Sequence, residues 1–481
     1  MQKKFVTNLA FLLFLNLFIK PFYILGIERE VQNQVGAASY GVYFAIFNFS
    51  FLLNILLDFG ITNFNNKNIA QNNHLLTKHF SGLFILKLFL AVIYIVVVVL
   101  IGLIIGYDTR LMKLLLIQGF NMFLLYFINY TRSNLAGLHL FKTDAIVSVL
   151  DRTLLIGFCT VLLTTGVLKR PDGIMYFVYA QTLSYFITAV TAFIIILNKT
   201  HSFSLKWNRA FSIMILKKSL PFAILTLLMS FYNRIDTVML ERLLPQGVGD
   251  VQSGIYAQAF RLLDAANMIA FLSAGMLLPV FSRMLKHKES VEPLVKLIST
   301  LLLTLAIVVG VGCVFYSEEL MDLLYVLHAK ESAKIFSLLM LSFIAISTTY
   351  IFGTLLTANG NLKQLNIMAA GGMVLNITLN FILIKQLEAY GSAISSMITQ
   401  FLTAIIQVVI AQRIFKFKVN YRLINTLIMF VIGVIAINYG SKMLNFNWII
   451  NFVLMTCACG IWAFVSGVLN IKAMFRILKY G

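Results

Sequence analysis

Tyr232-Asn233-Arg234-Ile235-Asp236 lies inside an apolar run over residues 219–243, and Arg261-Leu262-Leu263-Asp264 lies inside a second over 253–279. The two are joined by the polar turn Pro245-Gln246-Gly247-Val248-Gly249-Asp250. An apolar run of about 20 residues matches a hydrocarbon layer about 30 Å thick. Ionised side chains within such a run face a bundle interior or a water-filled cavity, because lipid cannot solvate them. The stretch therefore fixes the class as membrane-spanning and raises the question of what Arg234, Asp236, Arg261 and Asp264 do.

The rest of the chain repeats the pattern. Sixty per cent of the 481 residues are apolar and 12% are charged, with a mean hydropathy of +0.90. A soluble globule of this length could not hide so much apolar surface. Fourteen runs reach spanning length, at approximately 5–27, 38–62, 80–105, 111–131, 143–167, 174–197, 219–243, 253–279, 294–315, 333–357, 364–385, 390–412, 422–443 and 448–469. Continuous stretches such as Ile93–Ile105 and Leu301–Val311 exclude the short alternating strands of a membrane barrel. The expected fold is an all-α integral membrane protein of about 14 transmembrane helices. The first run is too long for the apolar part of a cleaved signal and is read as a helix.

The net charge of +20 comes from dispersed Lys and Arg with no basic domain, so a nucleic-acid partner is not expected. Basic residues concentrate in the loops that are cytoplasmic when the N-terminus is inside, among them Lys3, Lys4, Arg209, Lys286, Lys288 and Lys416. The acidic pairs Glu28/Glu30 and Glu318/Glu319 fall on the opposite side. Both termini are therefore predicted to be cytoplasmic. Cys159, Cys313, Cys457 and Cys459 sit in apolar runs without disulfide or metal spacing, and are read as reduced packing residues. The histidines have no ligand spacing. No catalytic constellation, metal site or cofactor is expected.

Internal duplication organises the helices. Gly41-Val42-Tyr43-Phe44-Ala45-Ile46-Phe47 matches Gly254-Ile255-Tyr256-Ala257-Gln258-Ala259-Phe260 at an offset of 213, which also aligns Lys20-Pro21 with Asn233-Arg234. Asn134–Lys142 resembles Thr357–Lys363 at an offset near 222. Six helices followed by six keep one orientation, so the repeat is parallel, about an axis along the membrane normal. The expected organisation is an N-terminal six-helix lobe over 1–200, a C-terminal six-helix lobe over 201–415, and two additional helices with a tail over 416–481. In those last helices Asn438, Lys442, Trp448 and Trp462 are read as interface anchors or packing groups.

The succession Tyr232-Asn233-Arg234-Ile235-Asp236-Thr237-Val238-Met239-Leu240, then Gly254–Leu262, then Leu278-Pro279-Val280-Phe281-Ser282-Arg283 resembles the Wzx-type polysaccharide flippases. Asp58-Phe59-Gly60-Ile61, Leu375–Leu383 and Gly391–Ser396 are similar to the same family. The resemblance covers residues 1–415 and is most specific over 230–283. Glu241-Arg242 departs from it, since a small or uncharged residue commonly stands there. The wider superfamily includes drug/sodium antiporters and peptidoglycan-precursor flippases.

The resemblance implies a non-enzymatic flippase of the bacterial inner membrane that translocates undecaprenyl-diphosphate-linked oligosaccharide for O-antigen, capsule or exopolysaccharide synthesis. It implies H+ or Na+ as coupling ion, and a polysaccharide polymerase with chain-length machinery as partners. At about 1.5 Å per residue, Lys20, Arg234 and Arg261 lie about 10, 13 and 12 Å from the outer ends of their helices. Three cations at one level suit a diphosphate, to which Arg offers planar paired donors and Lys a point charge. Each also has a structural reading. Arg261 and Asp264 are one turn apart and can neutralise each other, and Lys20 can snorkel. Asp236 is read as a charge partner or coupling site, and Asp58 as a helix-end or inner-gate group. Asp144 and Asp151 share a face of the fifth run, where Arg152 is a second-rank substrate ligand. Lys87 is placed near enough to the inner surface to snorkel, and Asn48, Asn54, Asn121, Asn129, Asn376 and Asn380 are expected to bond between helices.

Two other functions remain in view. A drug/sodium or drug/proton antiporter of the same fold predicts a dominant intramembrane carboxylate. A membrane glycosyltransferase or polymerase needs clustered catalytic groups, and the loops 198–218, 280–293 and 316–332 carry no compact acidic or His-rich motif.

Overall fold

The computed structural model describes residues 11, 14–62, 65, 69, 75–138, 140–200, 209–417 and 421–469. The start of the first run, part of the 198–218 loop and the tail after 469 lie outside the described residues. In order, the elements are α1 (14–22), a π-helical segment (Tyr23–Glu28), α2 (Arg29–Val35), α3 (Ala37–Leu52), α4 (Ile55–Asp58), α5 (Leu75–Ile105), α6 (Thr109–Gly137), α7 (Phe141–Thr165) and α8 (Gly173–Leu197). They continue with α9 (Arg209–Leu243), α10 (Val248–Lys286), α11 (Glu292–Phe315), α12 (Ser317–Leu324), α13 (Ala329–Ala358), α14 (Leu362–Phe415), α15 (Tyr421–Lys442) and α16 (Trp448–Val465). Within the described residues, each of the fourteen apolar runs falls on helix. Eleven of these helices are individually long and apolar enough to span a membrane among the described residues, and α14 holds two of the runs, joined at Glu388, where φ is +51°.

The helix ends follow from local chemistry. Asp108 caps α6 by accepting from the Leu111 amide at 2.7 Å, and Asn447 caps α16 through the Ile449 amide at 2.9 Å. α7 stops at Gly166, whose φ is +68°, a left-handed value that glycine adopts without penalty. An offset of 222 carries Gly166 onto Glu388, so the duplication reaches the backbone as a positive φ between the fifth and sixth helices of each half. Outward-facing residues are large and apolar, Ile104 being 83% exposed and Phe18 66%. That is the expected surface when the solvent is lipid.

The chain divides into two compact units, Met1–Ala257 and Gln258–Gly481. In the first, Phe80, Phe127, Tyr130 and Tyr185 lie in one buried aromatic and aliphatic cluster, with the Phe80 and Tyr130 rings stacked at 5.9 Å. α3 packs against α9 and α6, and Asn48 donates to the Thr237 hydroxyl at 2.8 Å. The repeated glycines explain how closely α3 meets the first turns of α10. A Cβ on Gly41 would stand 1.9 Å from the Asp250 carbonyl oxygen, and one on Gly254 would stand 2.0 Å from that of Ala37. Neither position tolerates a side chain, and the two repeat-related helices cross backbone to backbone.

In the second unit α13 packs on α11 and α14, and the C-terminal pair α15–α16 packs on α11 around Tyr316, Phe430, Met455 and Cys459. Trp462 is a packing group here. Its indole N–H donates to the Phe430 carbonyl at 3.2 Å, and its ring occupies the space that a side chain on Gly433 would need. Lys442 lies over the Tyr316 ring at 4.3 Å and pairs with Glu319, which ties α15 to the short helix α12. Ser392 donates to Asn380 at 2.7 Å, a bond between the two halves of α14. The four cysteines are free thiols.

Candidate substrate-binding cluster

The first unit gathers several intramembrane charges at one place, and a backbone irregularity helps to build it. Pro21 withdraws its N–H from the ladder of the first helix, and the next turn is π-helical, Tyr23–Glu28. Bonding from i to i+5 stacks Tyr23 and Glu28 on one face, and both are buried. Glu28, placed by the sequence among outer loop carboxylates, is only 1% exposed and accepts from the Tyr40 hydroxyl at 2.6 Å. The π turn rotates Glu28 inward.

α7 supplies the facing side. Asp144, Ser148 and Asp151 are spaced i, i+4 and i+7, so they share one buried stripe. Asn16 donates to Ser148 at 2.9 Å, which fixes the first helix against α7. Arg132 of α6 donates to Asp144 at 2.8 Å, and Arg152 lies 3.6 Å from Asp151. The Arg152 guanidinium sits over two rings, Tyr23 at 5.1 Å and Tyr185 at 5.6 Å. Stacking of this kind contributes about 2 kcal/mol when desolvated. Lys20 belongs to the same electrostatic neighbourhood, with Asp151, Arg132, Arg152 and Asp144 acting on it.

The accessibility within these pairs is uneven. The Arg132 and Arg152 side chains are each 24% exposed, against 8% for Asp144 and 11% for Asp151. The carboxylates sit behind and orient the cations, which keep an open edge. A guanidinium held flat by rings and backed by a carboxylate is pre-organised to offer its remaining N–H groups to an anion.

Lys20, Asp144, Asp151 and Arg152 thus share one neighbourhood, and the other charges named from the sequence have the following contacts. Arg234 lies over the Phe51 ring at 5.3 Å. Asp236, two residues on, is 1% exposed and accepts from the Tyr256 hydroxyl at 2.8 Å. Tyr256 follows one of the crossing glycines, so its hydroxyl also bonds and does more than fill space. In the second unit Arg261 and Asp264 lie 3.5 Å apart, one turn along α10. Asp58 ends α4 and takes Thr62 through its amide and hydroxyl, and its carboxylate meets Lys87 at 2.5 Å. Lys87 is 2% exposed and does not snorkel. It turns into the unit, above the Tyr130 ring at 5.4 Å.

Glu28, Tyr23 and Tyr185 were not singled out from the sequence. Pro21 was the one signal that could have pointed to the first two. Among the described residues no group of three or more His, Cys, Asp or Glu could hold a metal ion.

Comparison with known proteins places this architecture. The chain resembles the inward closed conformation of the lipid II flippase MurJ, with a TM-score of 0.66, 14% identity, and coverage of 95% of this chain and 98% of that one. It also resembles an inward-facing multidrug resistance MATE transporter of the MOP superfamily, at 0.64 and 16% identity over 86% and 98% of the two chains. A MOP-superfamily transporter from Pyrococcus furiosus, described as having a binding pocket of reverse polarity, matches at 0.60 and 15% identity over 86% and 96%. At these identities the likeness establishes the fold. No match to an individual curated protein sequence reaches significance. A family model described as polysaccharide biosynthesis protein matches residues 8–285. That is more than half of the chain, which therefore belongs to the polysaccharide biosynthesis protein family, a family of multi-pass membrane proteins and not of enzymes, here with the fold of the MATE and MurJ transporters.

Proposed function

We propose that the protein is an alternating-access flippase that moves undecaprenyl-diphosphate-linked oligosaccharide from the cytoplasmic to the periplasmic leaflet of a bacterial inner membrane. The carrying observation is the cluster of partly open cations, Lys20, Arg132 and Arg152, set over the buried carboxylates Glu28, Asp144 and Asp151. Half-buried cations backed by more deeply buried acids turn a positive edge outward, which suits phosphate oxygens and repels cationic drugs. An antiporter for such drugs needs the reverse, an accessible carboxylate. The MATE likeness keeps that alternative in view, and the polarity of the cluster disfavours it. MurJ is named for a lipid-linked cargo, lipid II, and the family for polysaccharide biosynthesis.

In this reading Lys20 and Arg152 hold the diphosphate, and Arg234 and Arg261 are further ligands, on the strength of their similar depth. The prenyl tail stays in lipid throughout. Movement of the lobes 1–200 and 201–415 carries the headgroup across, with both termini cytoplasmic. Asp236, which accepts from Tyr256, is the group proposed for coupling to H+ or Na+. Polymer export is the test, in cells whose own copy is deleted. Arg152→Ala, Arg234→Ala and Arg261→Ala should each cut export several-fold at equal membrane abundance. Export at the wild-type rate by all three variants would remove the site assignment.

A further inference from the structure

Glu241-Arg242, the departure from the family pattern, borders a cavity within the first unit that plays no part in the cluster above. Its volume is about 530 Å³, and its polar lining includes Asp108, Arg110, Glu241, Arg242, Gln246 and Asp250. Ser39, Leu244 and aliphatic side chains from the start of α3, α6 and the start of α8 complete the wall. It lies where α5 gives way to α6, α7 to α8 and α9 to α10, at the helix ends that the Lys and Arg distribution assigns to the periplasm.

Arg242 is the distinctive group. Its guanidinium lies 4.0 Å from the centre of the Tyr107 ring, and its Nε is 2.8 Å from a Glu241 oxygen. Adjacent side chains on a helix diverge, and this contact lacks hydrogen-bond geometry. Nε and the Glu241 oxygen Oε2 meet as an ion pair without an aligned hydrogen bond, and Nη2 is buried with no hydrogen-bond partner among the described residues. Buried donors and acceptors left in that state are costly. A ligand that both donates and accepts would relieve them together.

We infer that this cavity is a binding site for an uncharged sugar unit, the glycan end of the lipid-linked cargo, and the inference rests on the flippase reading. Three carboxylates and two guanidinium groups in the wall leave no net positive charge to hold an anion. Arg110 and Arg242, set among those carboxylates, repel a cation. Hydroxyls fit instead, since each can donate to Glu241 or Asp250 and accept from Arg242. The aliphatic wall suits the C–H face of a sugar ring. The volume lies within the range of about 300–1,000 Å³ typical of small-molecule sites.

The test uses the purified full-length protein and two probes. One is glycan released by mild acid from the host's lipid-linked oligosaccharides, and the other is undecaprenyl diphosphate without sugar. Glycan should bind saturably, and Arg242→Ala should weaken it at least tenfold while changing undecaprenyl diphosphate binding by less than twofold. Met175→Trp, which fills the cavity and leaves its charges, should give the same pattern and serves if Arg242→Ala does not fold. Absence of glycan binding, or glycan affinity unchanged in the folded variant, overturns the sugar site. Loss of undecaprenyl diphosphate binding in the wild-type protein overturns the flippase reading alone.

Discussion

Two intramembrane ion pairs in the same unit, Lys87–Asp58 and Arg152–Asp151, differ in how far they are closed off. Lys87 and Asp58 are 3% and 12% exposed as side chains, and the Leu57 carbonyl, Thr62 and the Tyr130 ring complete their surroundings. Arg152 keeps 24% of its side chain accessible, with 11% for Asp151. A closed pair answers only to itself, and its worth lies in not being broken. An open pair has donors left over. In a membrane protein the accessibility of the cation, more than the presence of charge, separates a structural pair from a binding one.

The sharpest way to break this contrast is to remove half of the closed pair. Lys87→Ala or Asp58→Ala strands an uncompensated charge in a buried site, which costs about 3–5 kcal/mol. Each variant should lower the thermal midpoint of the detergent-purified protein and its membrane abundance. The double variant Asp58→Leu/Lys87→Met, apolar and close in volume, should recover most of both. Single variants as stable as wild type would mean that the pair is not closed in the working protein.

Lys87 also marks how far the sequence could be read. The fourteen apolar runs, the turn near Glu388 and the repeat were legible because hydropathy and spacing are properties of single helices. The direction in which a side chain points is not, so Lys87 reads as a snorkelling residue and nothing in composition turns Glu28 inward. The π turn after Pro21 decides Glu28, and a local break in periodicity leaves little trace in composition. The α7 face was half legible. Asp144 and Asp151 share a stripe by arithmetic alone, but only the tertiary structure brings in Tyr23, Tyr185 and Arg132.

The open pair should behave in the opposite way. Arg152→Ala removes a cation that is partly accessible and stacked, so the fold should lose less than the closed-pair variants do. Undecaprenyl diphosphate binding should lose on the order of tenfold or more, in line with about 1.5–3 kcal/mol for a charged hydrogen bond. Arg152→Lys keeps the charge and loses the planar fork, and it should fall between. A Lys variant equal to wild type would show that the site needs only a point charge.

The smallest effect sharpens the comparison most, because it tests orientation and not charge. Tyr185 lies beneath the Arg152 guanidinium at 5.6 Å and touches the cargo in no part of the proposal. Its ring is the feature that matters, so Tyr185→Phe should bind undecaprenyl diphosphate nearly as wild type does. Tyr185→Leu keeps the apolar volume but removes the π face, worth about 1 kcal/mol. That converts to a loss of about fivefold in affinity. Measured side by side at matched stability, the Phe and Leu variants separate a ring that positions the guanidinium from one that merely fills the core. A core-filling ring would lower stability in both variants and leave the affinity of the folded fraction unchanged, and Arg152 would then need no platform to hold its open edge.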